Sequence, residues 1–220
     1  MPIANGHGDE NKIQILGRYH LRPVMHSVLL NGQSLTCCCG QPITDRFYQF
    51  DVFSPFSGRV VNILYAGEDC AERFFALSKT SGSKRITPLA LFDPLQADVG
   101  PRHEPDDAGL ADGGTFEAPI NGEVEQAIYL TLMSCSAPPS PGRVFSDLLK
   151  KIRAHPDRPL TDWEVRAVNT RIGNDGQSLA TVLAKLRADN PTLRHFTFPE
   201  MTAALRREAA HTGLRIHSCL

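Results

Sequence analysis

The residues in this sequence that are most capable of chemistry are four cysteines between positions 37 and 70. Three are consecutive, in Cys37-Cys38-Cys39-Gly40, and Cys70 follows in the segment AGEDCAERFFAL. Thiolates are preferred zinc ligands, and a tight turn combined with a helix N-terminus is a common way to gather them. The pattern therefore predicts a zinc site with Cys37, Cys39 and Cys70 as ligands. The fourth ligand has to come from His20, His26, Cys38 or Asp69, and we assign it to His26.

Two other interpretations of these cysteines stay open. The consecutive cysteines can alternate in and out of a strand as small apolar side chains, with no metal bound. Alternatively, Cys70 at a helix N-terminus has the position that lowers a thiol pKa, and His20 or His26 can serve as its base. The second interpretation makes the protein a small cysteine- or metal-dependent enzyme. No phosphate-binding loop, dinucleotide fingerprint or Gly-x-Ser-x-Gly motif accompanies the cysteines.

Short strands and one helix are predicted to position the cysteines. Residues 1–12 are polar and are predicted to be a loose tail, and the apolar pattern from Ile13 onward favours extended chain. Asn31-Gly32 predicts a hairpin that pairs residues 27–30 with residues 33–37. An aromatic-rich strand follows at 47–53 and another strand at 59–65. A helix is predicted over 69–78, with Asp69 as its N-cap.

A cysteine turn closed by glycine, then a strand pair, then a helix that begins with a cysteine resembles the treble-clef zinc finger. The resemblance covers residues 33–78. It departs from the family pattern at both ends, because one residue separates Cys37 from Cys39 instead of two, and because Gly67 and Arg73 stand where a second helix cysteine would be. The resemblance implies a zinc cofactor and a role in binding nucleic acid or protein.

Composition divides the chain into three parts. Residues 93–125 hold nine acidic residues and one basic residue, together with four prolines and five glycines. Such a segment has little apolar surface to bury, so residues 93–118 are predicted to be a flexible acidic linker. The predicted fold class is α+β: a small antiparallel β domain with one helix at 1–92, and a mainly α-helical domain at 119–220.

Five helices are predicted in the C-terminal part, at 122–133, 143–154, 161–172, 178–188 and 197–210. Capping boxes are predicted at Thr161 with Glu164 and at Thr197 with Glu200, and a short strand at 214–216. The helices at 143–188 fit either a helix-turn-helix or an ordinary bundle, and the bundle is favoured because the third helix carries few side chains able to reach base edges. Basic residues of this part are candidates for contacting nucleic-acid phosphates: Arg143, Lys150, Lys151, Arg153, Arg166 and Arg171.

Charge and hydropathy limit the function. The net charge of −1 combines an acidic part, residues 1–142, with a basic part, residues 143–220. No apolar run approaches the roughly 20 residues of a spanning helix, and the first residues lack the apolar core of a signal peptide. We therefore expect a cytoplasmic protein with no membrane partner. The predicted function is non-enzymatic binding of nucleic acid or of a protein partner, with a metal-free protein adaptor as an alternative.

Overall fold

A computed structural model describes residues 6–96, 117–134, 143–174, 176 and 178–220. The chain divides into two compact units, Met1–His103 and Glu104–Leu220. Most of the predicted acidic linker, residues 97–116, lies outside the described residues. The predicted fold class is confirmed, because a three-stranded antiparallel sheet with helices is followed by a mainly helical region.

The first unit is built on a sheet in the order β1-β2-β3. Its elements are α1 (Asp9–Arg18), β1 (His20–Val28), β2 (Arg46–Phe53), β3 (Val60–Gly67) and α2 (Glu68–Thr80). The predicted strands at 47–53 and 59–65 and the predicted helix at 69–78 are thus confirmed as β2, β3 and α2.

The central strand β2 is buried along its length from Phe47 to Phe53. Successive side chains of a strand point to opposite faces, and Tyr48 and Phe50 share the face that meets α2. The Phe50 ring lies 6.2 Å from Phe74 and 6.1 Å from Phe75, between ring centroids. This aromatic cluster fixes α2 on the sheet and thereby fixes the position of its first turn.

The predicted hairpin at Asn31-Gly32 is wrong. The turn exists, with Gly32 at a φ of 79°, but β1 pairs with β2, with His26 opposite Tyr48. Because β2 offers a longer and more apolar partner than residues 33–37, β1 forms its ladder with the non-local strand. Residues 35–43 instead form their own tight loop, which includes an isolated bridge between Thr36 and Pro42.

Helix α1 replaces the tail and extended chain predicted for residues 9–18. Ile15 and Leu16 are buried on one side of this helix, and the Asp9 carboxylate pairs with the Arg73 guanidinium of α2. The helix packs against α2 and β1. Three apolar residues within four positions suit either period, so only these tertiary contacts select the helix.

The second unit is a helical bundle organised on one central helix. Its helices are α3 (Pro119–Ser134), α4 (Arg143–Ala154), α5 (Asp162–Asn174), α6 (Leu179–Asp189) and α7 (Pro199–Thr212). Helix α3 packs against each of the other four, while α5 packs mainly on α7 and α6 mainly on α3. All five predicted helices are confirmed. The strand predicted at 214–216 is wrong, because these residues form no ladder.

Of the two predicted capping boxes, one is confirmed. The Glu164 carboxylate accepts hydrogen bonds from the Thr161 N–H and hydroxyl, both at 2.9 Å. At α7, however, the N-cap is Phe198, and Pro199 occupies the first turn. The helix begins one residue too late for Thr197 to cap it, so the second predicted box is wrong.

The α7 N-terminus is capped from another helix. The Glu123 carboxylate of α3 accepts the N–H of Glu200 at 3.1 Å and the N–H of Met201 at 2.9 Å. A carboxylate satisfies these otherwise unpaired donors and also complements the positive end of the helix dipole. The contact ties α7 to the central helix.

We expect Glu123→Ala to lower the free energy of unfolding of the second unit by about 1 kcal/mol, because two helix N–H groups lose their acceptor. Glu123→Gln keeps one acceptor oxygen, so its free energy of unfolding should lie between those of the wild type and of Glu123→Ala. Urea titration followed by circular dichroism measures the difference. An alanine variant as stable as the wild type would contradict the cap.

Candidate metal centre

The three consecutive cysteines form a tight turn. The Gly40 N–H donates to the Cys37 carbonyl and the Cys37 N–H donates to the Gln41 carbonyl, both at 2.8 Å. Gly40 has a φ of 89°, a conformation that residues with a side chain rarely adopt. We call residues 37–40 the cysteine turn.

The cysteine turn docks on the end of β3, where the sheet passes directly into α2. The Cys38 N–H donates to the Tyr65 carbonyl at 2.7 Å, and the Gly67 N–H donates to the Cys37 Sγ at 3.4 Å. Helix α2 begins at Glu68, so Cys70 lies in its first turn. The order of the chain from turn to hairpin to helix thus brings Cys70 beside the turn.

Three thiols meet at this junction, and the Cys39 thiol follows two of them in the turn. The Sγ atoms of Cys37, Cys38 and Cys70 all lie within 4.8 Å of one another, and those of Cys37 and Cys38 are 3.9 Å apart. The Cys39 thiol contributes to lowering the pKa of Cys37 and to raising the pKa of Cys70. A tetrahedral zinc ion with bonds of about 2.3 Å places its sulfur ligands about 3.8 Å apart. The spacing of the Cys37, Cys38 and Cys70 sulfur atoms therefore suits a zinc ion.

His26, the predicted fourth ligand, contacts residues other than the grouped cysteines. Its Nδ1 lies 3.0 Å from the Leu89 carbonyl oxygen, its ring stacks on Tyr48 at 4.0 Å, and its Nε2 lies 3.9 Å from the Glu68 carboxylate. Within the described residues, the grouped ligand atoms are thiols only. Of the four residues that were candidates for the fourth zinc ligand, Cys38 is the one whose ligand atom lies in this group.

The turn geometry explains why the Cys38 sulfur joins that of Cys37. In an extended strand, the side chains of neighbouring residues point to opposite faces, so Cys37 and Cys38 would diverge. In the tight turn their sulfur atoms approach each other instead. The glycine at position 40 was the available signal for that turn.

The neighbouring thiols shift one another's pKa values. The Cys38 thiol donates a hydrogen bond that lowers the pKa of Cys37, and the N–H groups of Cys39 and Gly67 act in the same direction. The pKa of Cys38 is raised because its proton is held in that hydrogen bond and because it is buried. A metal ion that displaces these protons would be bound by preorganised sulfur atoms.

The expectation of a lowered pKa at Cys70 is wrong. Burial, followed by the neighbouring Cys37, raises the pKa of Cys70 to about 11. These two effects outweigh the helix N-terminus. The predicted N-cap also fails, because Gly67 occupies the N-cap position and contributes no side-chain hydrogen bond.

A buried lysine lies beside the thiols. Lys12 of α1 is 5% exposed, and its ammonium donates to the Gly6 carbonyl at 2.8 Å. Its charge favours the ionised forms of Cys38 and Cys70. Gly6 in turn donates its N–H to the Cys38 carbonyl at 2.8 Å, and a Cβ at Gly6 would lie 3.0 Å from the Cys38 Sγ. The chain before α1 therefore covers one side of the thiol group.

Replacing Lys12 by methionine is expected to weaken zinc binding by about 10-fold or more, since outer-shell groups contribute on that scale. Neighbouring thiols and burial raise the pKa of Cys38 and of Cys70, and the Lys12 charge partly offsets both increases. Removing it raises both values, so the pH at which half of the protein binds zinc should shift upward. Competition with a chromogenic chelator across pH measures both effects. Arg18→Met, an exposed cation of the same helix, is the control and should change neither.

Several of the basic residues predicted to contact phosphates have carboxylate partners within the second unit. Lys151 lies 2.6 Å from Glu164, Arg153 lies 3.5 Å from Glu125 and Arg166 lies 3.0 Å from Glu208. Of the remaining candidates, Lys150 is exposed, and Arg171 has an interaction partner of its own. The Arg143 side chain lies outside the described residues. The helix-turn-helix interpretation has no further support, since α6 packs mainly on the central helix.

Comparison with known proteins identifies the family to which the chain belongs. No significant match to the chain was found among curated proteins or among solved structures. Over the described residues, no helix combines the length and apolar character needed to cross a membrane. A family model matches residues 4–212, which include the thiol group and all of the helices described above. The chain therefore belongs to the family described as uncharacterised conserved protein UCP028583.

Proposed function

We propose that this protein is a non-enzymatic, zinc-stabilised binding protein whose partner is another protein. The observation that carries the zinc site is the convergence of thiols at zinc-ligand spacing where the cysteine turn, β3 and α2 meet. With Cys39, the next residue of the cysteine turn, as the fourth ligand, the cysteines would complete a tetrahedron and leave no open position for a substrate or a water molecule. Such a site stabilises a fold.

The treble clef is the finer form of this proposal. The chain order of cysteine turn, β2–β3 hairpin and α2 is the order of that family. The short spacing in the turn is accommodated because Cys38 contributes a sulfur atom. In this arrangement the ion would link the loop before the hairpin to the helix after it, which supports a structural role for zinc.

The enzyme alternative has less support. A catalytic thiolate needs a lowered pKa and a base, and Cys70 has a raised pKa. The group of ligand atoms within the described residues contains no histidine, and the His26 imidazole is engaged with Leu89 and Tyr48. Cys37 has the lowered pKa, but its sulfur is surrounded by other thiols, which favours metal binding over nucleophilic attack.

Exposed aromatic side chains favour a protein partner over nucleic acid. Phe56, in the β2–β3 connection, is 99% exposed, and Trp163 on α5 is 60% exposed. Large aromatic side chains are enriched among the residues that dominate protein–protein binding. The basic side chains that would bind phosphates are in part paired with carboxylates. Phe56 and Trp163 are therefore the residues we expect in contact with a partner.

Differential alkylation tests the structural zinc site against the enzyme alternative. The zinc-loaded protein is treated with iodoacetamide, and each cysteine is quantified by mass spectrometry before and after a strong chelator is added. We expect Cys37, Cys38, Cys39 and Cys70 to be protected together and to become reactive together. A single one of them that reacts quickly in the zinc-loaded protein would overturn the proposal in favour of a reactive thiol.

Fluorescence anisotropy with labelled duplex DNA and single-stranded RNA tests the choice of partner. The expected result is no tight binding at low salt. Tight binding that weakens steeply as salt rises would reveal phosphate contacts and would replace the protein partner by nucleic acid. Phe56→Ser and Trp163→Ser should leave such binding unchanged if it occurs.

A further inference from the structure

The chain after α7 turns back and lies in a groove of the helical unit. Gly213 ends α7 with a φ of 67°, and residues 214–220 then run without helix or strand. They reach α5, where the buried side chain of Asn169 meets their backbone, and the first residue of α6, Leu179. We call Asn169, Gly173 and Leu179 the tail groove, and residues 214–220 the tail.

The Asn169 side chain pairs with the tail as a strand would. Its Nδ2 donates to the His217 carbonyl at 2.8 Å, and its Oδ1 accepts the Cys219 N–H at 2.7 Å. Asn169 is 3% exposed, so both ends of a buried amide depend on this backbone for their hydrogen bonds. The Leu179 N–H, at the start of α6, donates to the Cys219 carbonyl at 2.6 Å.

These three hydrogen bonds recognise an extended backbone and no side chain. Recognition of main-chain groups with a pocket for one side chain is how extended peptides are bound by proteins. The pocket here is at Gly173, where an added Cβ would lie 2.7 Å from the Cys219 Sγ. The absence of a side chain at Gly173 therefore leaves the space in which the Cys219 side chain lies, and we expect a small residue to fit there best.

Most of the tail is exposed to solvent. Leu214 is 58% exposed, and Arg215, His217 and Ser218 are exposed as well. Three hydrogen bonds to its backbone, together with the Cys219 side chain against Gly173, thus contribute to holding the tail in place. The family match ends at residue 212, so the three groove residues lie inside the matched region and the tail lies beyond it.

We propose that the tail groove is a binding site for an extended peptide segment of a partner protein, and that the tail occupies this site within the same chain until the partner displaces it. The peptide presents a small residue, such as Cys, Ser or Ala, against Gly173, and its backbone pairs with Asn169 and Leu179. This proposal gives a chemical form to the protein partner proposed above and rests on the proposed function in that respect alone. It does not involve the thiol group.

The test uses the full chain with Cys219→Trp, because an indole is much larger than the thiol that lies against Gly173, and we expect the tail to leave its own groove. A fluorescein-labelled peptide of the sequence LRIHSCL is titrated under reducing conditions, and binding is followed by anisotropy. We expect saturable binding to Cys219→Trp, and binding to the wild type at least about 10-fold weaker because the tethered tail competes at a high effective concentration. A labelled LRIHSWL peptide should bind to neither.

Two further variants separate recognition from folding. Gly173→Val combined with Cys219→Trp should abolish binding with the helix content unchanged, since the new side chain fills the pocket. Arg18→Met combined with Cys219→Trp is the matched control in the other unit, at an exposed residue of α1, and should bind like Cys219→Trp alone. No saturable binding to Cys219→Trp, or equal binding after Gly173→Val, would overturn the proposal.

The oligomeric state is measured in parallel. A Cys219→Trp chain that binds the peptide as a monomer supports a partner peptide as the occupant. A wild type that is a dimer, and that Cys219→Trp converts to a monomer, would overturn it by showing that the groove holds the tail of a second copy. The zinc content should be the same in every variant, so failure of the peptide site and failure of the zinc site are distinguishable.

Discussion

Replacing Cys37, Cys38, Cys39 or Cys70 by serine, one at a time, is expected to remove bound zinc and to destabilise the first unit by about 3 kcal/mol or more. Structural zinc sites contribute binding free energies of about 10–16 kcal/mol that are coupled to folding. In this chain the ion would connect the cysteine turn to the first turn of α2. Losing one sulfur ligand therefore weakens both the metal site and the packing of α2.

The measurements are zinc content by plasma mass spectrometry on protein purified without added metal, and thermal unfolding of the first unit. The wild type should contain about one zinc ion per chain. Cys219→Ser is the matched control, since that thiol lies in the second unit and should leave both quantities unchanged. A metal-free wild type whose four serine variants all unfold like it would leave the cysteines as packing residues. Full zinc in one serine variant alone would remove that residue from the ligand set.

The sequence predicted the elements that depend on local patterns. The aromatic alternation of β2, the apolar stripe of α4 and the Thr161–Glu164 capping box each leave a signal within a few residues. The apolar face of the helix predicted over 69–78 is a signal of the same kind, and it places Cys70 in the first turn of α2, as the structure does. The position of one side of the candidate site could therefore be predicted without coordinates.

The errors come from choices between a local and a non-local partner. Asn31-Gly32 is a strong turn signal, yet the turn does not join two paired strands, because β1 pairs better with β2. Thr197 and Glu200 have capping-box spacing, yet Glu123 supplies the cap from α3. In both cases the competing group is far away in the sequence, and no local window contains it.

The composition of the thiol group shows the same limit at shorter range. Cysteine spacing alone favours Cys37 and Cys39, because the cysteine ligands of a zinc-binding turn are usually separated by intervening residues. The hydrogen bonds from Cys38 to Tyr65 and from Gly67 to Cys37 fix the turn against β3 and bring the sulfur of Cys38 inward. The ligand set thus depends on where the turn docks, which the turn sequence does not contain.

A buried asparagine at the start of α3 is expected to be among the most sensitive positions of the second unit. Asn121 is fully buried; its Nδ2 donates to the Pro156 and Arg158 carbonyls at 2.9 Å, and its Oδ1 accepts the Leu160 N–H at 3.0 Å. One side chain therefore bonds to three backbone groups of the α4–α5 connection, of which, among the described residues, only the Pro156 carbonyl has a second partner, the Ala118 N–H at 2.9 Å. Asn121→Ala should lower the free energy of unfolding by about 2–4 kcal/mol, because each of the two buried groups left unpaired costs about 1–3 kcal/mol and the costs are not fully additive.

Asn121→Asp distinguishes lost hydrogen bonds from lost volume, because it has nearly the same shape. It keeps the acceptor for the Leu160 N–H but replaces two donors by an oxygen that faces the Pro156 and Arg158 carbonyls. At neutral pH its charge is buried against these carbonyls, so it should be at least as unstable as Asn121→Ala. Protonation restores one donor, so its deficit should shrink as the pH falls, whereas that of Asn121→Ala should not. Urea unfolding followed by the fluorescence of the chain's one tryptophan, Trp163, reports on this unit. A loss below about 1 kcal/mol in Asn121→Ala would show that water replaces the side chain and that the connection does not depend on it.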